Sequence, residues 1–216
     1  MTKLSPPSDL PPELPDLIPT PPSRRMTEEE FVAWCDEDVR AEWVDGEVIV
    51  MSPANFIHGR LVLFLSRILA DFVEFHKLGI VPGPDYFVRL PTLARRRIPD
   101  LMFIAQNRVQ LISENHLEGS PDLVVEIVSP DSEARDWREK YHDYEAAGVR
   151  EYWVIDPNSP RVEAYALGAD AKFRCIEETD GRIASTVLPG LHLRTAWLWQ
   201  DPLPLVGDVL KELGVR

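Results

Sequence analysis

The spacing of apolar residues along the chain predicts two helices before the first long run of strands. Thr27 and Glu30 have the spacing of a capping box, in which each side chain bonds to the backbone of the other, so a short helix should start there. A longer helix is predicted from about Asn55 to His76, because its apolar residues recur at helical spacing. These residues are Leu61, Phe64, Leu65, Ile68, Phe72 and Phe75.

Other segments of the chain have a pattern typical of strands. Asp45-Gly46 between β-prone residues predicts an N-terminal hairpin over residues 43–50. Beyond Gly79 the predicted elements are strands Ile80–Leu90, Ile98–Ala105 and Leu123–Val128, a helix from about Asp136 to Ala147, a strand Glu151–Asp156, a meander of Val162–Leu167, Lys172–Glu177 and Ile183–Val187, and a short helix Val206–Leu213. This order predicts an α/β (α+β) domain, with a central mixed sheet flanked by helices and a C-terminal antiparallel meander.

Proline divides the chain into two parts. Residues 1–25 hold eight of the twenty prolines, which predicts an extended or disordered tail. Residues 26–216 have a suitable length for a single domain.

The charge balance argues against a protein that coats nucleic acid. The formal net charge is −13, and the charges of residues 1–25 cancel, so the excess belongs to residues 26–216. Two cysteines, Cys35 and Cys175, are too few for a zinc cage or a disulfide framework, which favours a reduced, cytoplasmic setting. We expect no membrane partner, because the longest apolar stretch is short and interrupted by charges.

Two carboxylates stand inside predicted core strands. Asp100 opens an apolar strand and shares a face with Met102 and Ile104, and Glu126 lies within a run that is apolar on both faces. Buried carboxylates require a cation: either a salt bridge to Arg or Lys, or a metal. If the two lie side by side they would repel each other unless a divalent metal occupied the gap, and oxygen ligands suit magnesium, manganese or calcium.

Lys140 is a third candidate. On a helix it lies within roughly 60° of Trp137, inside the apolar stripe of Trp137, Tyr141 and Tyr144. Its ammonium could reach the two carboxylates, or its long stem could carry it to water. Two carboxylates, a hard metal and a lysine together are typical of metal-assisted phosphodiester hydrolysis.

Several motifs resemble the Uma-type endonucleases, a family of the PD-(D/E)XK, restriction-endonuclease-like superfamily. The similarity covers roughly residues 26–200. The motifs are Glu42-Trp43-Val44-Asp45-Gly46-Glu47, Met51-Ser52-Pro53, His58, Pro99-Asp100, the run from Pro121 to Pro130, Lys140, Tyr144, and the run from Gly148 to Pro157.

The resemblance implies a restriction-endonuclease-like fold and an Mg²⁺-dependent DNA endonuclease, with Mn²⁺ as a substitute metal. Asp100 and Glu126 would ligate the metal, with the backbone carbonyl of Ile127 as a further ligand. The superfamily places a lysine two residues after the glutamate, where this chain has Val128, so the resemblance assigns that role to Lys140. Glu42 becomes a candidate accessory acid, against the alternative of a surface charge at a helix end.

Other interpretations stay open from the sequence. The chain could be a catalytically silent interaction module that keeps the nuclease fold, or a metal-dependent hydrolase of another substrate. Arginines 89, 95, 96 and 97, with 135 and 138, could clamp a DNA backbone or belong to a turn and a solvated helix face. The acidic charge predicts weak, local, salt-sensitive DNA contacts, and a homodimer would suit cleavage of two strands.

Overall fold

The structure is a computed structural model that describes residues 24–35, 39–52, 55–128 and 135–215, with the backbone alone for 135–137. Most of the predicted tail, residues 1–23, lies outside this description, as do Pro53, Ser129 and Pro130 of the motifs above. The same holds for the side chains of Arg135 and Trp137, so the predicted apolar stripe is described only in part.

Four α-helices are present in the described residues, and local sequence signals account for their ends. They are α1 (Glu28–Trp34), α2 (Phe56–His76), α3 (Tyr141–Ala147) and α4 (Val206–Glu212), with a π-helical turn at Arg135–Lys140 just before α3. The predicted capping box of Thr27 and Glu30 is formed, and the Asn55 side chain accepts a hydrogen bond from His58 N at the start of α2. Gly148, at φ +80°, ends α3.

In the described part of the chain, thirteen strands form three sheets. In chain order they are β1 (Ala41–Val44), β2 (Glu47–Val50), β3 (Gly79–Ile80), β4 (Phe87–Leu90), β5 (Arg95–Arg97), β6 (Leu101–Ala105), β7 (His116–Glu118), β8 (Leu123–Ile127), β9 (Glu151–Asp156), β10 (Arg161–Leu167), β11 (Phe173–Cys175), β12 (Arg182–Ala184) and β13 (His192–Arg194).

The central sheet is mixed and has the order β11-β10-β9-β8-β6-β3. Strands β8 and β9 are parallel and the other pairs are antiparallel. Both β8 and β9 are buried along their whole length, as expected of strands covered on both faces. Helix α2 packs on one face through Leu61, Ile68 and Phe72, and α3 contributes Tyr144 to the cluster on the other face. The predicted fold class, a mixed α+β fold, is therefore confirmed.

A second, five-stranded sheet was not predicted. Its order is β2-β1-β5-β4-β7, so the expected N-terminal hairpin, which is present as β1 and β2, continues into a larger sheet. The segment Ile98–Ala105, predicted as a strand, contains β6. The segment Ile80–Leu90 was predicted as one strand, but β3 and β4 lie in different sheets, because Pro82 and Pro84 lack the N–H groups that strand pairing requires.

The predicted C-terminal meander is only partly correct. Strands β9, β10 and β11 follow one another antiparallel in the central sheet. The third predicted segment instead forms β12, which pairs with β13 in a separate hairpin. The chain turns back there at Gly190, whose φ is +92°. None of the described helices is both long and apolar enough to cross a membrane.

Candidate active site

Asp100 directly precedes β6, and Glu126 lies in the neighbouring strand β8 of the central sheet. Leu101 of β6 pairs with Val125 of β8, so the same register continued by one residue places Asp100 opposite Glu126. Directly opposed residues of an antiparallel pair share a face, with Cβ atoms about 5 Å apart. Both side chains are buried. The two carboxylates therefore lie together at the end of the sheet where β8 finishes.

The Asp100 carboxylate is contacted by three segments of the chain. Ile127 N donates to Oδ2 over 2.8 Å, and His58 Nε2 lies 3.2 Å from the same oxygen. Arg40 Nη2 lies 3.8 Å from Oδ1. His58 is itself buried, and its other ring nitrogen, Nδ1, has no hydrogen-bond partner among the described residues. These contacts fix the orientation of Asp100.

The Glu126 carboxylate contacts two side chains of the following helical segment, Lys140 and Tyr144. Lys140 Nζ lies 3.0 Å from Glu126 Oε1, and the Tyr144 hydroxyl donates to the same oxygen over 2.8 Å. Lys140 is buried although it carries a charge, and its Nζ is also 3.4 Å from Glu42 Oε1. Lys140 thus lies between two carboxylates, on the core-facing side of the helical segment.

Glu42 lies in β1 and is fully buried, so its interpretation as a surface charge at a helix end is wrong. Arg97 Nη1 donates to Oε2 over 2.8 Å, and Ile98 N donates to Oε1 over 3.1 Å. Burial by itself would raise the pKa of Glu42, but the positive charges of Lys140 and Arg97 outweigh it and lower the pKa to about 2. Glu42 is therefore a buried carboxylate that stays ionised.

Arg97 joins this group to the start of α3. Its guanidinium is fully buried and donates to Asp143 Oδ2 over 2.5 Å as well as to Glu42. Burial opposes its charge, but Glu42 and Asp143 raise the pKa of Arg97 above its ordinary value. Arg97 therefore bridges Glu42 and Asp143 inside the protein.

Tyr144 serves as a neutral hydrogen-bond donor to Glu126. Burial, followed by the charges of Glu126 and Glu42, raises the pKa of Tyr144 well above its ordinary value. The hydroxyl therefore keeps its proton and fixes one oxygen of Glu126 without adding charge.

The donor set at this sheet end fits a hydrated Mg²⁺ or Mn²⁺ better than a closed metal cage. Within residues 24–35, 39–52, 55–128 and 135–215, no three His, Cys, Asp or Glu side chains are arranged to hold a metal. Two carboxylates, with the neighbouring Ile127 carbonyl, would supply only part of a coordination shell. Mg²⁺ commonly binds through one or two carboxylates and keeps waters or substrate phosphates as its remaining ligands.

The arginines on β4 and β5 are committed to ion pairs between elements. Arg89 and Arg96 both contact Glu28 of α1, at 2.5 and 2.7 Å, and Arg95 and Arg97 both contact Asp143. The interpretation of this cluster as a DNA clamp is therefore not favoured. The other interpretation, that these arginines belong to an ordinary turn, does not account for their ion pairs, which connect α1 and α3 to the second sheet.

Several buried charges are not evident from the sequence pattern. Turn chemistry would explain Asp122 after Pro121, but Asp122 is fully buried and accepts hydrogen bonds from Ala105 N and Arg108.

Arg97 stands in the sequence only as part of a basic run. In the second sheet Trp43 pairs with Arg96, and the same register sets Glu42 opposite Arg97. This pairing is known only from the folded sheet, because β5 consists of three arginines and has no apolar pattern of its own.

The chain is similar to proteins of one family and to a solved structure. Residues 28–196 match the profile of the Uma2 family, described as "Putative restriction endonuclease". An uncharacterized Synechocystis protein, sll1609, is 27% identical over 148 residues, which cover 64% of this chain and 78% of that protein. The crystal structure of "a putative nuclease belonging to DUF820" from Anabaena variabilis superposes with a TM-score of 0.69. It is 18% identical, and the match covers 81% of this chain and 97% of that one.

Proposed function

Because the chain belongs to the Uma2 family of restriction-endonuclease-like proteins, we propose that it is a metal-dependent endonuclease that hydrolyses phosphodiester bonds in DNA. The observation that carries this proposal is the opposition of Asp100 and Glu126 at one sheet end, with Lys140 Nζ 3.0 Å from Glu126. A metal-dependent nuclease uses metal-binding carboxylates and a cation beside the scissile phosphate, and these residues would supply both.

Asp100 and Glu126, with the Ile127 carbonyl, would hold Mg²⁺ or Mn²⁺. A bound divalent ion would supply positive charge to a phosphate oxygen and acidify a water molecule. The protein holds the two carboxylates in fixed orientations, because Ile127 N donates to Asp100 and the Tyr144 hydroxyl donates to Glu126. Preorganised ligands do not have to be reoriented when a cation binds.

Lys140 would act on the reacting groups through its ammonium. In a buried setting its charge can orient the attacking water and stabilise negative charge that develops on the phosphate. Glu42 is then a positioning residue, because its ionised carboxylate lies 3.4 Å from Lys140 Nζ and holds the ammonium in place. Arg97 holds Glu42 in turn.

A catalytically silent module is the second candidate, and one contact favours it. Arg40 approaches Asp100 at 3.8 Å, so a protein cation already offsets part of the carboxylate charge. Arg40 also forms an ion pair with Asp85, whose Oδ1 lies 2.6 Å from Arg40 Nε and whose side chain is exposed. Hydrolysis of a substrate other than DNA is a third candidate, because the metal ligands do not select the substrate.

The test is a cleavage assay on plasmid, single-stranded and branched DNA with Mg²⁺, Mn²⁺ or EDTA. The wild type should cleave at least one of these only with metal, and Lys140→Ala should lose cleavage. Lys211→Ala is the matched control, because Lys211 is an exposed lysine whose ion pair lies within α4. Equal cleavage by Lys140→Ala and the wild type would remove Lys140 from the mechanism, and no cleavage under any condition would favour the silent module.

A further inference from the structure

The outer face of α2 carries apolar and basic residues in alternation. Phe56, Arg60, Leu63 and Arg67 are spaced i, i+4, i+7 and i+11, so they lie along one side of the helix. Phe56 is 80% exposed and Leu63 is 63% exposed, which is unusual for large apolar side chains. We call these four residues the α2 outer face.

The charge of this segment differs from that of the rest of the chain. Residues 55–70 contain two arginines and no Asp or Glu, and the acidic residues of α2, Asp71 and Glu74, lie in its last two turns, whereas the whole protein has a net charge of −13. Arg67 makes no ion pair within the described residues, and Arg60 pairs with Asp201, whose side chain is almost fully in solvent. Exposed ion pairs of this kind are weak, so Arg60 can exchange Asp201 for another anion. The α2 outer face therefore suits a polyanion.

The ring of Phe56 is presented to solvent with open space beside it. The Arg60 guanidinium lies 5.9 Å from the ring centroid, a cation–π contact that supports the ring from one side. Gly59 has no atom within 4 Å of the point where a Cβ would stand, so a flat group can approach the helix there. An exposed aromatic ring beside arginines is the combination on which unpaired bases stack.

The start of the α2 outer face is adjacent in sequence to a residue of the candidate active site. His58, two residues after Phe56, contacts Asp100 from the opposite side of the same helix turn. A helix is about 10 Å wide, so a base on Phe56 and a phosphate near Asp100 would be separated by about the thickness of α2.

We propose that the α2 outer face binds an unpaired stretch of nucleic acid, with Phe56 stacked on a base and Arg60 and Arg67 on the backbone. This proposal rests on the proposed nuclease function and narrows its substrate to DNA that is single-stranded near the cleaved bond. A base must leave the duplex stack to lie on a protein ring, so intact duplex is the poorer ligand.

The test measures binding without metal, so that cleavage does not enter. A fluorescein-labelled single-stranded oligonucleotide is titrated in EDTA at low salt and followed by anisotropy. Phe56→Ala should weaken binding by about fivefold or more, the lower limit for base–aromatic stacking, and Phe56→Trp should retain it. Arg60→Ala and Arg67→Ala should each reduce the slope of log K against log salt by about 0.7.

Phe75→Ala is the matched control, because Phe75 is 56% exposed and lies in the last turn of the same helix. It should bind like the wild type. A series of oligonucleotides with 2-aminopurine at successive positions adds a direct readout, since the base stacked on Phe56 should lose its fluorescence quenching in Phe56→Ala alone.

Equal binding by Phe56→Ala, Phe75→Ala and the wild type would overturn the proposal. So would a change of sedimentation coefficient in Phe56→Ala and Leu63→Ala with unchanged DNA binding, since this face would then join two copies of the chain. Binding that depends on Phe56 without any metal-dependent cleavage would uphold the strand-binding face and contradict the nuclease function. Metal-dependent cleavage by Phe56→Ala at the wild-type rate would uphold the nuclease function and contradict the strand-binding face.

Discussion

Replacement of Glu42 by Gln should destabilise the protein strongly although it changes one atom. The carboxylate is fully buried and is contacted by Arg97 at 2.8 Å and Lys140 at 3.4 Å. Gln keeps the shape but removes the negative charge that compensates these two buried cations. Removing one partner of a buried ion pair costs about 3–5 kcal/mol, because the other charge stays in the interior without compensation.

The pKa of Glu42 gives an independent magnitude. A change from the ordinary 4.5 to about 2 in the folded state corresponds to about 3 kcal/mol of stabilisation at neutral pH. The pKa is lower in the folded protein, so this stabilisation is complete above about pH 5 and is lost as the pH falls toward 2. The wild type should therefore lose stability over that acid range, and Glu42→Gln should lose less.

Urea denaturation at pH 7, followed by circular dichroism, measures the change. Glu42→Gln should lower the midpoint with an unchanged m-value. Glu47→Gln is the matched control in the adjacent strand, because Glu47 is 65% exposed at its surface pair with Arg25 and its loss should cost less than about 0.5 kcal/mol. A loss below about 1 kcal/mol in Glu42→Gln, or equal losses in both variants, would refute the reasoning.

Two further predictions concern other buried carboxylates. Glu126→Gln should abolish metal-dependent plasmid nicking while near-ultraviolet circular dichroism shows an intact fold, and nicking at the wild-type rate would contradict its role as a ligand. Glu151→Gln should lower the free energy of unfolding by about 2–4 kcal/mol, because Glu151 accepts bonds from Trp153 Nε1, Thr186 N, Thr186 Oγ1 and Val187 N. Its nicking rate per folded molecule should match the wild type, since none of these bonds involves a candidate site residue.

The sequence predicted those elements whose signals are local. The capping box of α1, the full extent of α2 and the β-branched run of β8 each depend on residues close together in the chain, and each was found. Asp100 and Glu126 could be singled out for the same reason, because a carboxylate within an apolar run conflicts with its surroundings. Such conflicts are common at functional sites.

What could not be predicted depends on pairing between distant segments. Strand β5 pairs with β1, about fifty residues earlier in the chain, and no local pattern in Arg95–Arg97 indicates that neighbour. The partners of Glu42 follow from that register, so its burial could not be predicted either. The stripe that points to Lys140 assumes α-helical spacing, whereas residues 135–140 form a π-helical turn.

The most direct test of the nuclease proposal is the rate of supercoiled plasmid nicking as a function of Mg²⁺ concentration, for wild type and Asp100→Asn. Asp170→Asn is the control, because Asp170 is an exposed aspartate paired only with Arg174 among the contacts of the described residues. Wild type and Asp170→Asn should show the same saturable increase in rate with Mg²⁺, and Asp100→Asn should show none. Nicking by Asp100→Asn with the wild-type Mg²⁺ dependence would contradict a metal centre at Asp100.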